Sequence, residues 1–392
     1  MNLAVLDRPH IEPSTRAARV LHVFPGNLFG GVERALLTMH QQRRWLDRVA
    51  MEFAACFPGR LTEELQAAGA SVADLGPVRL SRPWTVWRAR RRLARLLRQS
   101  GYDLVNVHSA WSHVVFAPTA RAAGVPVLFW VHDRLDDGSW INRLARRIEP
   151  EAVLANSTYT LSSVGATFPV APAQCVYLPV APVAGVGAAR GEVRHELGCP
   201  DDSVVILCAS RMDPMKGHRV LLQALVRLRP HPHWQCWIAG GAQRGAETRY
   251  LCELQSQARD CGLGDRVRFL GERRDVPRLL AGSDVYCQAN VKPETFGLSF
   301  IEALWSGVPV VTSALGGAVE ILNGHDAGVL VPPSDPAALS AALQQLIDDP
   351  QRRRTMAEAA PRLAQSLCDP AGQMRAIEQL LLRVIAGGGG SQ

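Results

Sequence analysis

Two carboxylates stand eight positions apart in the segment VKPETFGLSFIEALWSGVPVVTS, residues 291–313. Carboxylate oxygens accept hydrogen bonds, so Glu294 and Glu302 are suited to hold the hydroxyl groups of sugars. The first acid precedes a predicted helix and can reach a sugar beside its start. The second lies about one and a half turns inside that helix, where it can accept hydrogen bonds from a ribose diol.

The same segment predicts a helix that begins near Phe296. The first N–H groups of a helix have no partner inside it, and with the helix dipole they favour an anion. The N–H groups of Gly297, Leu298 and Ser299 are therefore expected to face a phosphate. One element then holds both sugars and the phosphate bridge of a nucleotide-sugar.

Paired carboxylates also occur in glycoside hydrolases, where a separation of about 5–5.5 Å marks a nucleophile and its acid partner. An eight-residue offset along a helix corresponds to about 12 Å of rise. On that basis Glu294 and Glu302 are predicted to bind substrate and not to act together on one anomeric carbon.

Two cations occur five positions apart in CASRMDPMKGH, between a predicted strand and a predicted helix. Arg211 offers a planar fork of donors and Lys216 a point charge, a combination that can clamp a diphosphate. The alternative is a pair of solvated loop cations.

Two glycines, Gly30 and Gly31, follow the first predicted strand in VFPGNLFGGVERALL. Without a Cβ, backbone can approach a ligand closely at this strand-to-helix turn. Neither the G-x-G-x-x-G pattern nor the P-loop pattern is present, so two purely structural turn glycines remain the alternative.

The sequence contains no D-x-D pattern, the usual carboxylate motif for a divalent metal on a diphosphate. We therefore expect no metal and no cofactor, with a nucleotide-diphosphate sugar as co-substrate. Arg211, Lys216 and the helix N-terminus would balance the charge of the leaving group as a preorganised electrostatic site.

The elements that must position these residues alternate between short apolar runs and helical patterns, which is typical of parallel sheets covered by helices. The predicted strands of the first half are RVLHVF, AMEFAACF, YDLVNVH, VPVLFWVH, AVLANS and CVYLPV. Those of the second half are VVILCAS, WQCWIAG, RVRFLG, DVYCQAN, VPVVTS and GVLVP.

A Pro-, Gly- and Ala-rich linker at residues 179–191 separates the two series. We predict two doubly wound Rossmann-like α/β domains, 1–184 and 185–370, facing each other across a cleft. In such sheets ligands bind at the carboxyl ends of the strands. Residues 371–392 are predicted to form a C-terminal helix that can pack back on the first domain, followed by a disordered tail. Residues 1–18 are expected to be flexible.

The bulk composition is that of a soluble globular protein: 392 residues, 47% hydrophobic and 20% charged. No apolar run reaches the length of about 18 residues that indicates a membrane span. The first 18 residues do not resemble a secretory signal, because they carry charges and have no apolar core. Nine cysteines without a C-x-x-C pair are expected to be reduced and buried, as in a cytoplasmic protein.

The net charge of +7 is unevenly distributed. Six arginines lie within Arg88–Arg98, among leucines and alanines, and follow Trp84 and Trp87. A helix here would have a basic face and an apolar stripe, and could lie on the surface of an anionic membrane. The alternative is a solvated face whose leucines pack on the core. No nucleic-acid partner is expected, because no nucleic-acid-binding motif accompanies the charge.

Taken together, three motifs resemble one known family: ETFG within Glu-x7-Glu, Arg-x4-Lys-Gly after a strand, and GGVER near the start. GVPVV and ALGGAVEIL follow the acids, as they do in that family. Over nearly its whole length the chain resembles the retaining glycosyltransferases of family 4 (group 1), which have the GT-B fold.

The resemblance implies roles for several residues of the second half. Arg211 and Lys216 would bind the donor diphosphate, Glu294 the transferred hexose and Glu302 the ribose. The segment Phe296, Gly297 and Leu298 would offer backbone to phosphate or sugar. Arg273 and Arg274 are candidates for framing the nucleotide base, largely through backbone.

In the first half, His132 of FWVHD matches the family histidine near the donor sugar and reaction centre. His108 of VNVHS is a weaker candidate, with a histidine at the edge of the core as the alternative. The chain departs from the family pattern at Ser210, where glycine is usual, and at Trp305, where a small residue is usual. Neither departure removes a charged group.

The resemblance implies a metal-independent retaining glycosyltransferase that moves a hexose from a nucleotide-diphosphate sugar to a glycan or lipid-linked acceptor. Cell-surface polysaccharide or glycolipid synthesis is the expected context, with UDP-sugars favoured and GDP-mannose as a second choice. The enzyme would be cytoplasmic, with a peripheral position on the inner membrane face as an option. The alternatives are a nucleotide-sugar epimerase or phosphorylase on the same fold, or a non-catalytic sugar-nucleotide-binding subunit.

Overall fold

The computed structural model describes residues 16–135, 138–183, 189–242 and 244–388. The chain divides into two compact units. The first contains the described residues up to Pro179 together with those from Pro370 onward, and the second is Val180–Asp369. The predicted boundary at 184–185, most of the predicted flexible start and the last four residues of the predicted tail lie outside the described residues.

The first unit contains a seven-stranded parallel sheet with the strand order β3-β2-β1-β4-β5-β6-β7. Its strands are β1 (Ala18–Phe24), β2 (Val49–Ala55), β3 (Val72–Asp74), β4 (Leu104–Val107), β5 (Val127–Val131), β6 (Ala152–Ala155) and β7 (Ala173–Cys175). The residues of β4, β5 and β6 are all buried. Because helices cover both faces of a parallel sheet, these central strands are almost entirely apolar, with Asn106 of β4 as the exception.

The helices of this unit are α1 (Gly31–Gln41), α2 (Arg60–Ala67), α3 (Pro83–Ser100), α4 (Ala110–Ala122), α5 (Trp140–Ala145), α6 (Thr158–Leu161) and α15 (Pro370–Gly388). A short 3-10 helix covers Arg43–Trp45. The side chain of Ser109 caps α4 by accepting from the Ser112 N–H at 3.0 Å. This satisfies one of the N–H groups that every helix start leaves unpaired.

The C-terminal helix α15 belongs to the first unit although it follows the second unit in sequence. Its Glu378 is buried, 7% exposed. The Glu378 carboxylate accepts from the backbone N–H groups of Arg48 and Val49, at 2.6 and 3.0 Å, where β2 begins. The last helix therefore completes the hydrogen bonding of a strand near the start of the chain.

The second unit contains a six-stranded parallel sheet with the order β10-β9-β8-β11-β12-β13. The strands are β8 (Val204–Ala209), β9 (Trp234–Ala239), β10 (Val267–Gly271), β11 (Val285–Gln288), β12 (Val310–Ser313) and β13 (Gly328–Val331). The side chains of Cys208, Cys236 and Cys287 are buried in this sheet. The nine cysteines, all within the described residues, are thiols. The expectation that they are all buried is wrong for Cys252, which is exposed, and for Cys175 and Cys261, which are half-buried.

The helices of the second unit are α7 (Arg190–Glu196), α8 (His218–Arg227), α9 (Gly245–Asp260), α10 (Val276–Gly282), α11 (Leu298–Trp305), α12 (Gly317–Leu322), α13 (Pro336–Asp348) and α14 (Pro350–Cys368). A 3-10 turn, Pro214–Lys216, precedes α8.

Three details differ from the sequence predictions. The predicted strand CVYLPV is largely irregular, and the strand at this edge is β7, which ends at Cys175. The edge strand β3 was not predicted, since it has only three residues and none is buried. The predicted linker ends early, because α7 begins at Arg190.

Candidate functional site

Two of the predicted site residues of the second unit, Lys216 and Glu294, form a cation–carboxylate contact. The Nζ of Lys216 lies 2.5 Å from Oε2 of Glu294. The Nε2 of Gln288, at the end of β11, donates to the same oxygen at 3.3 Å. Gln288 is held in turn by the Tyr286 hydroxyl, 3.2 Å from its Oε1. A buried amide thus orients the carboxylate that the ammonium contacts.

Close backbone packing brings the two loops together. Gly217, after Lys216, has φ +74, and a Cβ there would lie 1.6 Å from the carbonyl oxygen of Ala289. The N–H of Val291 donates to the carbonyl of Met215 at 3.0 Å. Only glycine fits this approach, so the Lys216-Gly217 pair of the sequence motif has a steric cause.

The backbone of Glu294 is fixed from the other side by the glycine pair of ALGGAVEIL. The Gly317 N–H donates to the Glu294 carbonyl at 2.7 Å, and Gly316 forms an isolated parallel bridge with Glu294. Gly316 has φ +60, and a Cβ on it would lie 2.2 Å from the same carbonyl oxygen. These two glycines therefore support the acid, although they do not themselves carry chemistry.

The second cation, Arg211, contacts an acid that the sequence did not single out. Its Nη1 lies 3.3 Å from Oε1 of Glu247, and its Nη2 lies 3.6 Å from Oδ2 of Asp213. Glu247 is in the first turn of α9 and is only 6% exposed. A buried carboxylate beside a half-exposed guanidinium restricts where that guanidinium can point.

The helix whose start is predicted to face a phosphate begins slightly later than expected. Helix α11 begins at Leu298, and its N-cap Gly297 has φ +98 with no side-chain cap. A Cβ on Gly297 would lie 2.3 Å from the ring of Phe300. The side chain of Phe296 is 3% exposed and belongs to the core, so only backbone is available there.

The predicted 12 Å rise between the two acids is wrong, because only the part from Leu298 to Glu302 is helical. Glu302 is half-buried. Burial raises the pKa of the Tyr286 hydroxyl well above its ordinary value, and the charges of Glu302 and Glu294 add to that rise. Both acids therefore act electrostatically on one buried, protonated hydroxyl.

The two arginines proposed to frame the base differ in their surroundings. Arg273 forms a two-point ion pair with Asp275, at 2.7 Å for each contact, and also lies 3.3 Å from Glu196. The side chain of Arg274 is exposed. Arg273 thus joins helices α7 and α10 with its side chain, and contacts through backbone remain a prediction.

In the first unit, Gly30 and Gly31 stand at the start of α1. The N–H of Gly30 donates to Oε2 of Glu33 at 2.9 Å. Gly30 has φ −147, so the backbone conformation does not require glycine there. One predicted ligand-facing N–H is therefore used by the helix itself, and a role for these glycines in binding remains a prediction.

His132, directly after β5, is 7% exposed. Its Nε2 lies 3.1 Å from Nδ1 of His108, and Nε2 of His108 lies 2.9 Å from Nδ1 of His22. Burial lowers the pKa of His132 to about 3. At neutral pH the ring is uncharged, so it can exchange hydrogen bonds with hydroxyl groups but carries no positive charge.

The arginine-rich segment lies in α3. Ala89, Leu93 and Leu97 are buried, whereas Trp84 and Trp87 are each 59% exposed. Within the described ranges, no helix has the length and apolar character to cross a membrane. The same part of the chain contains no group of three or more His, Cys, Asp or Glu side chains arranged to hold a metal ion.

Comparison with family models assigns both halves of the chain. Residues 189–363 match the model "Glycosyl transferases group 1", and residues 29–181 match the model "Glycosyltransferase Family 4". The chain belongs to the group 1 glycosyltransferases of family 4. The resemblance drawn from the motifs is thereby confirmed.

Curated relatives of this glycosyltransferase include the D-inositol 3-phosphate glycosyltransferase of Corynebacterium kroppenstedtii. It is 36% identical over 181 residues, which are 45% of this chain and 40% of that protein. The chain spans about two-fifths of the length of the curated relatives it matches.

Solved structures confirm that the fold is GT-B. Anabaena Alr3699/HepE in complex with UDP-glucose has a TM-score of 0.82 at 25% identity, covering 93% of this chain and 99% of that one. Sucrose-phosphate synthase from Thermosynechococcus elongatus has a TM-score of 0.77 at 19% identity, covering 94% and 100%.

Glu247 and His22 lie in the candidate sites of this glycosyltransferase but were not predicted from the sequence. Glu247 lies in GAETRY, where one acid in the first turn of a helix is unremarkable. His22 sits inside an apolar strand, RVLHVF, and a histidine in such a run offers a weak signal. Both become visible only through contacts between neighbouring strands and loops.

Proposed function

We propose that this glycosyltransferase moves a hexose from a nucleotide-diphosphate sugar to a hydroxyl group of a glycan or lipid-linked acceptor. Transfer retains the configuration of the anomeric carbon and needs no metal. The observation that carries the proposal is the Lys216–Glu294 contact at 2.5 Å, because it brings together the cation proposed to bind phosphate and the acid proposed to bind the sugar.

Charge supports the diphosphate half of this proposal. Lys216 and Arg211 precede α8 at the carboxyl edge of the sheet, and α11 begins nearby in the same unit after Glu294. Each cation is paired with a carboxylate, Lys216 with Glu294 and Arg211 with Glu247. A bound diphosphate would replace the two carboxylates as the partner of these cations. The cations would then stabilise the negative charge that develops on the leaving diphosphate as the glycosidic bond breaks.

The sugar half rests on the acids. Glu294 would bind hydroxyl groups of the hexose and stabilise the positive charge that develops on its anomeric carbon. Glu302 would accept hydrogen bonds from the ribose diol. His132, directly after β5 in the first unit, would contact the transferred sugar through its uncharged ring.

UDP-sugars are the favoured donors, with GDP-mannose second. The structurally similar Anabaena protein in complex with UDP-glucose supports the first choice. The curated relatives named for D-inositol 3-phosphate add a sugar-alcohol phosphate to the acceptors worth testing.

We also propose that α3 contacts the anionic inner face of a membrane. Two exposed tryptophans, Trp84 and Trp87, lie in the helix that carries the exposed arginines Arg88, Arg91 and Arg95. Indole rings favour the membrane interface, and cationic side chains favour anionic headgroups. Such a location would suit a lipid-linked acceptor.

The test combines binding and turnover of a donor panel. Thermal unfolding of the purified protein is followed with UDP-glucose, UDP-galactose, UDP-N-acetylglucosamine and GDP-mannose, since the true donor raises the unfolding temperature by mass action. Nucleotide release is then measured with and without acceptors in excess EDTA, and NMR of fresh product gives the anomeric configuration.

We expect stabilisation by one donor, acceptor-dependent nucleotide release and retained configuration. Interconversion of the donor sugar without transfer would indicate an epimerase. Stabilisation without any turnover would indicate a binding subunit. Activity that disappears in EDTA and returns with Mn²⁺ or Mg²⁺ would overturn the metal-free mechanism.

A further inference from the structure

Three histidines of the first unit form a buried row across adjacent strands. His22 lies within β1, His108 directly follows β4, and His132 directly follows β5. These strands are neighbours in the sheet. The three residues are 0%, 2% and 7% exposed. A buried polar ring without a partner is costly, so a row of three indicates mutual hydrogen bonding.

The geometry of the row supports two hydrogen bonds in series. Nδ1 of His22 is 2.9 Å from Nε2 of His108, and Nδ1 of His108 is 3.1 Å from Nε2 of His132. Successive rings are nearly parallel, with interplanar angles of 18° and 23°. Trp130 stacks on His108 and His132, with centroid distances of 5.7 and 5.8 Å.

Each link needs one N–H and one lone pair. Burial lowers the pKa of His22 and of His132 to about 3 and that of His108 well below its ordinary value. All three rings are therefore neutral at pH 7, and each carries one proton. Once one link has a direction, the middle ring has no second proton, and the other link must point the same way.

We propose that the three imidazoles form a tautomer relay, in which His22 and His108 are positioning residues that determine which ring nitrogen of His132 carries its proton. The direction follows from Asn106, whose Nδ2 lies 3.5 Å from Nδ1 of His22. An amide N–H facing this atom favours a lone pair on it. His108 then donates from Nε2 to His22, and His132 donates from Nε2 to His108.

This direction leaves a lone pair on Nδ1 of His132, the outer atom of the row. That atom is buried and has no hydrogen-bond partner among the described residues. A lone pair there accepts from a hydroxyl group but repels a carbonyl oxygen. The relay thus selects a hydroxyl of the transferred sugar or of the acceptor as the group that His132 contacts, a consequence that rests on the proposed function.

The relay itself is tested without substrate, by NMR of the full chain labelled with ¹⁵N-histidine. Two-bond proton–nitrogen correlations report the tautomer of each ring, and single histidine-to-glutamine variants assign the signals. We expect His132 in the Nε2–H form. In His22→Phe and Asn106→Leu, we expect a mixture of tautomers at His132, which neither residue contacts by hydrogen bonding.

The control is His113→Phe. His113 is also fully buried in this unit, but its Nε2 lies 2.6 Å from the Ile148 carbonyl oxygen and it makes no bond to the row. Its loss should leave the His132 tautomer unchanged. An Nδ1–H form of His132 in the wild-type protein would overturn the direction. An unchanged His132 signal in a folded Asn106→Leu or His22→Phe protein would overturn the coupling.

Kinetics supply a second measurement once a donor is known. In a mixture of tautomers only part of the His132 rings can accept from the sugar hydroxyl, so His22→Phe should lower kcat/KM for the donor by about two- to threefold, less than the roughly tenfold loss that removal of one whole neutral hydrogen bond would cause. Equal kinetics for His22→Phe and wild type would count against the relay. A wild-type protein without turnover would refute the proposed function, and the tautomer measurement would still decide the relay.

Discussion

The ammonium of Lys216 and the carboxylate of Glu294 are 2.5 Å apart, although 78 positions separate them in the chain. Their side chains are 22% and 20% exposed, so water screens the pair incompletely. If a donor diphosphate binds here as proposed, it would replace one anion by another around a cation that is already in place. Preorganisation of this kind lowers the cost of reorganisation in the transition state.

Replacement of Lys216 tests this arrangement with a matched control, since Lys292 is the only other lysine of the sequence. Lys216→Met should lower turnover by about 10²-fold, the scale for losing one preorganised group. Lys292 is exposed and close by in sequence to Glu294, so Lys292→Met should retain activity. Steady-state nucleotide release measures both. Near-normal turnover in Lys216→Met would refute the diphosphate assignment.

Replacement of Arg211 should have a similar effect: Arg211→Ala is expected to lose about 10²-fold in turnover while remaining folded.

Glu247, the buried partner of Arg211, gives a further prediction. Glu247→Gln keeps the shape but weakens the hold on the guanidinium, so we expect a several-fold higher donor KM and a smaller change in kcat. The control is Glu253→Gln on the same helix, where Glu253 is exposed and pairs with Arg219. Equal donor KM in both variants would mean that Glu247 does not position Arg211.

Replacement of Glu294 and replacement of Glu302 should have different kinetic effects. Glu294→Gln removes charge beside a carbon that becomes cationic in the transition state, so kcat should fall more than donor affinity. Glu302→Gln weakens a ribose contact made equally in ground and transition states, so donor KM should rise with kcat less affected. Initial rates over a range of donor concentrations separate the two. An unchanged donor KM in Glu302→Gln would reject the ribose assignment alone.

Membrane contact through α3 predicts salt-sensitive binding to vesicles that contain anionic lipid, at about 1 kcal/mol per basic residue near the surface. The double variant Trp84→Ser, Trp87→Ser should bind more weakly in a flotation assay. The double variant Arg352→Ser, Arg354→Ser removes two arginines from the second unit and should bind as wild type does. Equal binding to neutral vesicles would favour the solvated-face interpretation.

The strands of the sheets were largely predictable because parallel strands buried on both faces are continuous apolar runs. The exceptions lie at sheet edges. Strand β3 has only three residues and none is buried. Strand β7 also has three residues and is mostly exposed, and the apolar run VYLPV that follows it contains a proline. At an edge, one side of the strand lacks the burial that produces the sequence signal.

The candidate site could be predicted where a residue type and its loop position indicate the chemistry, as for Lys216 and Glu294, whose roles remain predictions. It was not predictable where function depends on contact across elements. Glu247 is a candidate because α9 places it beside Arg211, and His22 is a candidate because β1 lies next to β4. No local pattern encodes either neighbour.

The return of α15 to the first unit has a consequence for how the protein is made. Glu378 accepts from the backbone of Arg48 and Val49, more than three hundred positions earlier in the chain. During synthesis these amides emerge from the ribosome long before their acceptor exists. The second unit, which is continuous in sequence, can finish folding before the last helix of the first unit has been synthesised. Of the two, the half that begins first is completed last.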